Sequence, residues 1–202
     1  MFEELKLNED LTIFNSKITN IDNAMLVKDL EYNCDVSKRT IHDTTTNGTQ
    51  CKIEVISKNI TDIRNEILKK VLLHFKLNEN YLISFDDWVY ISDNKNNHTN
   101  FHDHISKGNL DFIKEPPQWS IVYYVQIPNN LEGNDGHISF KTKNGKEVSF
   151  LPTESQMIMF SSDILHRPEL NKKSTNKRVV YAANISILDR NKKYEKITHS
   201  LL

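Results

Sequence analysis

The run YLISFDDWVYIS at residues 81–92 opens a second half of the chain that reads as strand after strand. It is followed by NFHDHIS at 100–106, WSIVYYVQI at 119–127, GHISFKT at 136–142, KEVSF at 146–150, SQMIMF at 155–160 and RVVYAANISIL at 178–188. These runs are short and rich in β-branched and aromatic residues, and turn residues such as Asn134-Asp135-Gly136 and Asn144-Gly145 separate them. No helical pattern intervenes and no glycine-rich phosphate loop occurs, which disfavours a doubly wound nucleotide-binding sheet. Working outward, the first half carries two amphipathic patterns. Residues 22–32 place Met25, Leu26 and Leu30 on one face, and residues 60–77 do the same with Ile60, Ile63, Ile67, Leu68, Val71, Leu72 and Phe75. Between them, residues 37–51 are polar and read as a long connection with an Asn47-Gly48 turn. The expected fold is α+β and mainly β: a sandwich or open barrel with helices packed against one outer face. Residues 1–202 form one domain, with 1–80 a helix-rich support and 81–190 the β core.

Composition narrows the function. At 202 residues, 38% apolar and 26% charged, the chain can bury a full core. A net charge of −1 supplies no global basic field for nucleic acid or anionic lipid. The run of about 18 apolar residues that a membrane span needs is missing, and the first residues, MFEELKLNEDL, are acidic where a secretory signal is basic. Cys34 and Cys51 are too few and too far apart in sequence for a disulfide framework or a cysteine-rich zinc site, so a reducing, cytoplasmic environment is expected.

The chemistry concentrates in Asn100-Phe101-His102-Asp103-His104. Side chains two apart on a strand share a face, so His102 and His104 can present two imidazoles to one cavity while Asp103 points away. His166 follows 62 residues after His104, after the apolar run 157–160, beside Arg167-Pro168, where a barrel would close the pair into a three-ligand site. A solvated His-x-His pair and a structural His166 are the plainer alternatives. Arg178 weighs against them: it leads into an apolar strand, and a buried guanidinium needs an anionic partner, which a ligand carboxylate would supply.

In order and spacing, these residues resemble the Fe(II)- and 2-oxoglutarate-dependent oxygenases. The likeness covers roughly residues 85–188 and is strongest in WVYISDNKNNHTNFHDH, WSIVYYVQIP and MIMFSSDILHRPELNKKSTNKRVVYAANISI, in the manner of phage- and bacterial-type members. The resemblance implies a double-stranded β-helix (jelly-roll, cupin-like), with Fe(II) held by His102, His104 and His166. It implies 2-oxoglutarate as cosubstrate, its distal carboxylate paired with Arg178 and hydrogen-bonded by Tyr124, and O2 as oxidant. Asn184, on the face of Arg178, is a candidate contact to cosubstrate or substrate. The implied activity is hydroxylation coupled to decarboxylation of 2-oxoglutarate to succinate and CO2.

One departure stands out. The commoner pattern has a carboxylate where His104 stands; three neutral imidazoles leave the site one charge more positive, unless a bulge turns Asp103 inward. A three-histidine zinc hydrolase or lyase, or another cupin-type metalloenzyme, shares the ligand types, and a non-enzymatic β-sandwich binding module needs none of them. His42, His74, His98, His137 and His199 read as structural or solvated. Residues 37–51 and 95–118 are the expected substrate-recognition stretches, with 111–119 as a lid. No motif identifies the substrate.

Overall fold

The structure is a computed structural model and describes residues 1–36, 49–92, 100–105 and 118–191. Ten strands and two helices follow in the order β1 (Glu3–Lys6), β2 (Thr12–Lys17), α1 (Asn23–Val36), β3 (Thr49–Lys52), α2 (Lys58–Phe75), β4 (Tyr81–Ser92), β5 (Trp119–Gln126), β6 (Ile138–Lys141), β7 (Glu147–Phe150), β8 (Gln156–Ser161), β9 (His166–Pro168) and β10 (Arg178–Asp189). A seven-stranded sheet in the order β1-β2-β8-β5-β10-β4-β3 faces a three-stranded sheet in the order β7-β6-β9. All pairings are antiparallel.

The major sheet works because its strands alternate. Along β10, Val179, Tyr181 and Ile185 join the core under the helices, whereas Val180 and Ala182 join the core between the sheets. The outer layer is supplied by Leu26 and Leu30 of α1 and by Ile60, Ile63, Ile67 and Val71 of α2, none of them exposed. The inner layer stacks Ile13, Ile158 and Phe160 of the major sheet on Ile138 and Phe140 of β6. Helix α2 begins where the Ser57 hydroxyl accepts from the Ile60 amide at 3.2 Å. It ends at Lys76, whose left-handed backbone (φ 52°) turns the following Leu77 N–H back onto the Leu72 carbonyl at 3.0 Å. Gly145 (φ 81°) makes the β6–β7 turn, as the Asn144-Gly145 pair predicts.

The long strands and both helices fall where periodicity places them. The first half also contributes β1, β2 and β3 to the major sheet, so it is more than helical support. Residues 100–105 form an isolated bridge, His102 to His166, in place of a regular strand. The expected recognition stretches lie mostly outside the described residues, at 37–48, 95–99 and 106–117, including nearly all of the expected lid.

The cysteine expectation is corrected. Cys34 on α1 and Cys51 on β3 form a disulfide with Cα atoms 5.2 Å apart. Separation in sequence misled because the chain leaves α1 and returns along its side, where the Asn33 side chain already bonds the backbone of Glu54 and Val55. The inference of a reducing compartment thereby loses its premise. No helix among the described residues is long and apolar enough to cross a membrane.

Candidate metal centre

Three imidazoles converge at the inner mouth between the sheets. Their ligand atoms all lie within 4.8 Å of one another, and the ring centroids are 5.4 Å apart for His102–His104, 4.4 Å for His102–His166 and 4.9 Å for His104–His166. Backbone pairing sets this up. His102 and His166 exchange both amide hydrogen bonds, at 3.0 and 2.9 Å, and the His104 amide donates to the Ser162 carbonyl at 2.9 Å. The segment is therefore stitched to both ends of the β8–β9 connection. Asp103 is outside the group of converging ligands.

Each ring also has an oxygen at Nδ1: the Asn100 carbonyl for His102 (3.3 Å), Asn184 Oδ1 for His104 (2.5 Å) and the Ile164 carbonyl for His166 (2.9 Å). Carbonyl oxygens only accept, so Nδ1 carries a proton in all three, which leaves Nε2 as the nitrogen whose lone pair a neutral ring would offer. This is the tautomer a three-nitrogen cation site requires. Burial lowers His104 to about 4 and holds His166 well below the ordinary histidine range, because a charged imidazolium would be poorly solvated there. Both are neutral, as a ligand must be.

Across the cavity stands Arg178, 1% exposed. Its Nη1 donates to the Glu169 carbonyl at 3.0 Å and its Nη2 to the His137 carbonyl at 3.3 Å, while among the described residues Nε is buried without a hydrogen-bond partner. The Tyr124 hydroxyl is likewise buried and without a hydrogen-bond partner among the described residues. Tyr124 and Tyr90 flank Val180, one on each neighbouring strand, two residues along β10 from Arg178. Loss of hydration lowers the guanidinium and raises both phenols, so the phenols stay protonated donors. A buried cation beside a phenolic O–H offers hydrogen-bond donors of the kind that suit an anionic group.

One cleft, open to solvent on one side, joins these parts; His102, His104, His166, Tyr124 and Arg178 all line it. Asn184 is absent from its lining and holds His104 from behind. Sequence reasoning missed Tyr90, Trp88 and Gln50, which also line the cleft. The alternation Trp88-Val89-Tyr90 was available as a signal, but only the β4–β10 register shows that this face is the one Arg178 occupies.

No family model and no curated protein matches the sequence. Solved structures do match. A Pseudomonas putida prolyl-4-hydroxylase is 11% identical with a TM-score of 0.57 over 85% of this chain and 91% of its own. A prolyl hydroxylase from Trichoplax adhaerens, in complex with a hypoxia inducible factor oxygen degradation domain peptide fragment, is 15% identical with a TM-score of 0.59 over 85% and 82%. An oxidoreductase of the 2OG-Fe(II) oxygenase family from Burkholderia pseudomallei is 11% identical with a TM-score of 0.53 over 85% of each chain. The fold is thus the double-stranded β-helix of 2-oxoglutarate/Fe(II) oxygenases.

Proposed function

We propose that this protein is a non-haem iron hydroxylase that consumes 2-oxoglutarate and O2. The observation that carries the reading is the pairing, in one cleft, of three converging imidazoles with a buried guanidinium and a buried phenol. His102, His104 and His166 would hold Fe(II), and Arg178 with Tyr124 would hold the distal carboxylate of 2-oxoglutarate. Bound there, the iron and its cosubstrate supply an oxidant: 2-oxoglutarate, O2 and a substrate C–H bond give succinate, CO2 and an alcohol.

The chain's own residues do the rest. Arg178 and Tyr124 bind and orient the 2-oxo acid. Trp88, Val122, Ile138, Val180 and Ala182 present apolar surface to the cleft and restrict water. That lining suits a neutral aliphatic C–H donor. A prolyl side chain meets that requirement, and the prolyl hydroxylases among the structural neighbours make it the first substrate to try.

Three imidazoles suit zinc as well, but a zinc hydrolase has no use for the buried guanidinium opposite. The test is anaerobic loading with Fe(II), then O2 and 2-oxoglutarate, with succinate quantified. Succinate formation that requires iron, and that zinc does not replace, supports the oxygenase. Stoichiometric metal without any turnover of 2-oxoglutarate overturns it.

A further inference from the structure

We infer that Asn184 is a positioning residue for the metal, fixing His104 through Nδ1 so that Nε2 faces the cation. This rests on the metal-centre reading above. Asn184 pairs with Ser120 across the β10–β5 ladder, so both side chains stand on the inner face, below the ring of His104. Asn184 Oδ1 lies 2.5 Å and Ser120 Oγ 2.9 Å from His104 Nδ1, and Ser120 Oγ lies 3.3 Å from Asn184 Oδ1 and 3.1 Å from Ser162 Oγ. One proton arrangement satisfies all four contacts. The Ser162 hydroxyl donates to Ser120 Oγ, the Ser120 hydroxyl donates to Asn184 Oδ1, and the His104 Nδ1–H is shared between Asn184 Oδ1 and Ser120 Oγ, which both accept from it. The opposite tautomer would set the bare Nδ1 lone pair against a carbonyl oxygen at 2.5 Å, which is repulsive.

The network also has a place in the fold. Six strand residues, roughly 20 Å of extended chain, separate Asn184 from Arg178, so β10 carries the carboxylate receptor at one end and the ligand support at the other. Ser162, whose carbonyl accepts the His104 amide, joins the same chain of hydroxyls. His104 is therefore held by backbone and ring together. It is also the ligand standing where the commoner family pattern has a carboxylate. A neutral amide behind it keeps the imidazole neutral, whereas a carboxylate there would strengthen its electron donation.

The experiment titrates Co(II) and Fe(II) into chelator-stripped wild type, Asn184→Ala, Asn184→Asp and Ser120→Ala, reading affinity and the Co(II) d–d absorption, with the metal-free melting temperature as a fold control. Asn184→Ala is expected to bind about 10–100-fold more weakly with a changed Co(II) spectrum and little change in metal-free melting. Asn184→Asp, which can only accept, is expected to restore affinity to the wild-type value or above. Wild-type affinity and spectrum in Asn184→Ala, or an Asn184→Asp as weak as the alanine variant, would overturn the inference alone. A wild type that binds neither ion overturns it together with the metal centre.

Discussion

At the scale of single residues, the ligand set is decided by Nδ1. A histidine whose Nδ1–H is committed to an oxygen offers one nitrogen in one direction, and three such rings meeting within 4.8 Å are the proposed ligand set for a cation, without any carboxylate. His102→Ala and His166→Ala should each abolish stoichiometric iron binding by direct metal analysis. His104→Ala should lose at least about 10-fold in affinity, while Asp103→Ala keeps it; the reverse pattern would mean that the carboxylate is the ligand after all. Arg178 belongs to the other half of the chemistry. Arg178→Lys keeps the charge and loses the planar fork, so the apparent KM for 2-oxoglutarate should rise by about 30-fold or more, the equivalent of about 2 kcal/mol. Iron affinity should be unchanged, and equal loss of both would refute the division of labour.

At the scale of elements, α2 shows how a sequence pattern becomes an energetic one. Its buried stripe Ile60, Ile63, Ile67 and Val71 packs on the outer face of the sheet whose inner face holds the site. Ile67→Ala should cost about 2–5 kcal/mol in denaturant unfolding. The far end of the helix carries a titrating group, His74, packed edge-on against Phe2, Phe14 and Phe75 at 4.6–5.4 Å between ring centroids. Loss of hydration lowers its pKa below 6.5, with the N-terminal ammonium adding to the shift and Glu4 opposing it. The unfolded chain therefore takes up a proton first as pH falls below 6.5, and stability present above that value is lost on acidification. His74→Phe removes this dependence. Its melting temperature relative to wild type should be higher at pH 5 than at pH 8; a constant difference would refute the assignment. Legibility divides along the same line. The long period-two runs and the greasy helical stripes could be read from sequence because one face of each is buried. The four-residue β1 and three-residue β9 are too short to show a period, and the exposed pattern of Glu3–Lys6 gives no inward face to detect.

For the whole molecule, the site is a property of the closed fold, and that is why its residues were legible while its geometry was not. His102, His104, His166 and Arg178 stood out by chemical type and order, but the partners of Asn184 and the roles of Trp88 and Tyr90 depend on strand register, and the Cys34–Cys51 bond depends on a helix lying beside an edge strand. The same closure makes a thermodynamic prediction. The three histidines of the proposed centre lie on two segments, 102–104 and 166, that native backbone pairing joins, so an unfolded chain would have no site and a cation bound by them would stabilise only the folded state. Free metal at 100 times its Kd should add about 2.7 kcal/mol, which for a chain of this size raises Tm by roughly 5–10 °C. Anaerobic melting with Fe(II) or Co(II) should show that rise, excess chelator should reverse it, and His166→Ala should be insensitive to both. A binding module with scattered histidines would melt at the same temperature in all conditions, and that result would remove the metal centre and with it the proposed chemistry.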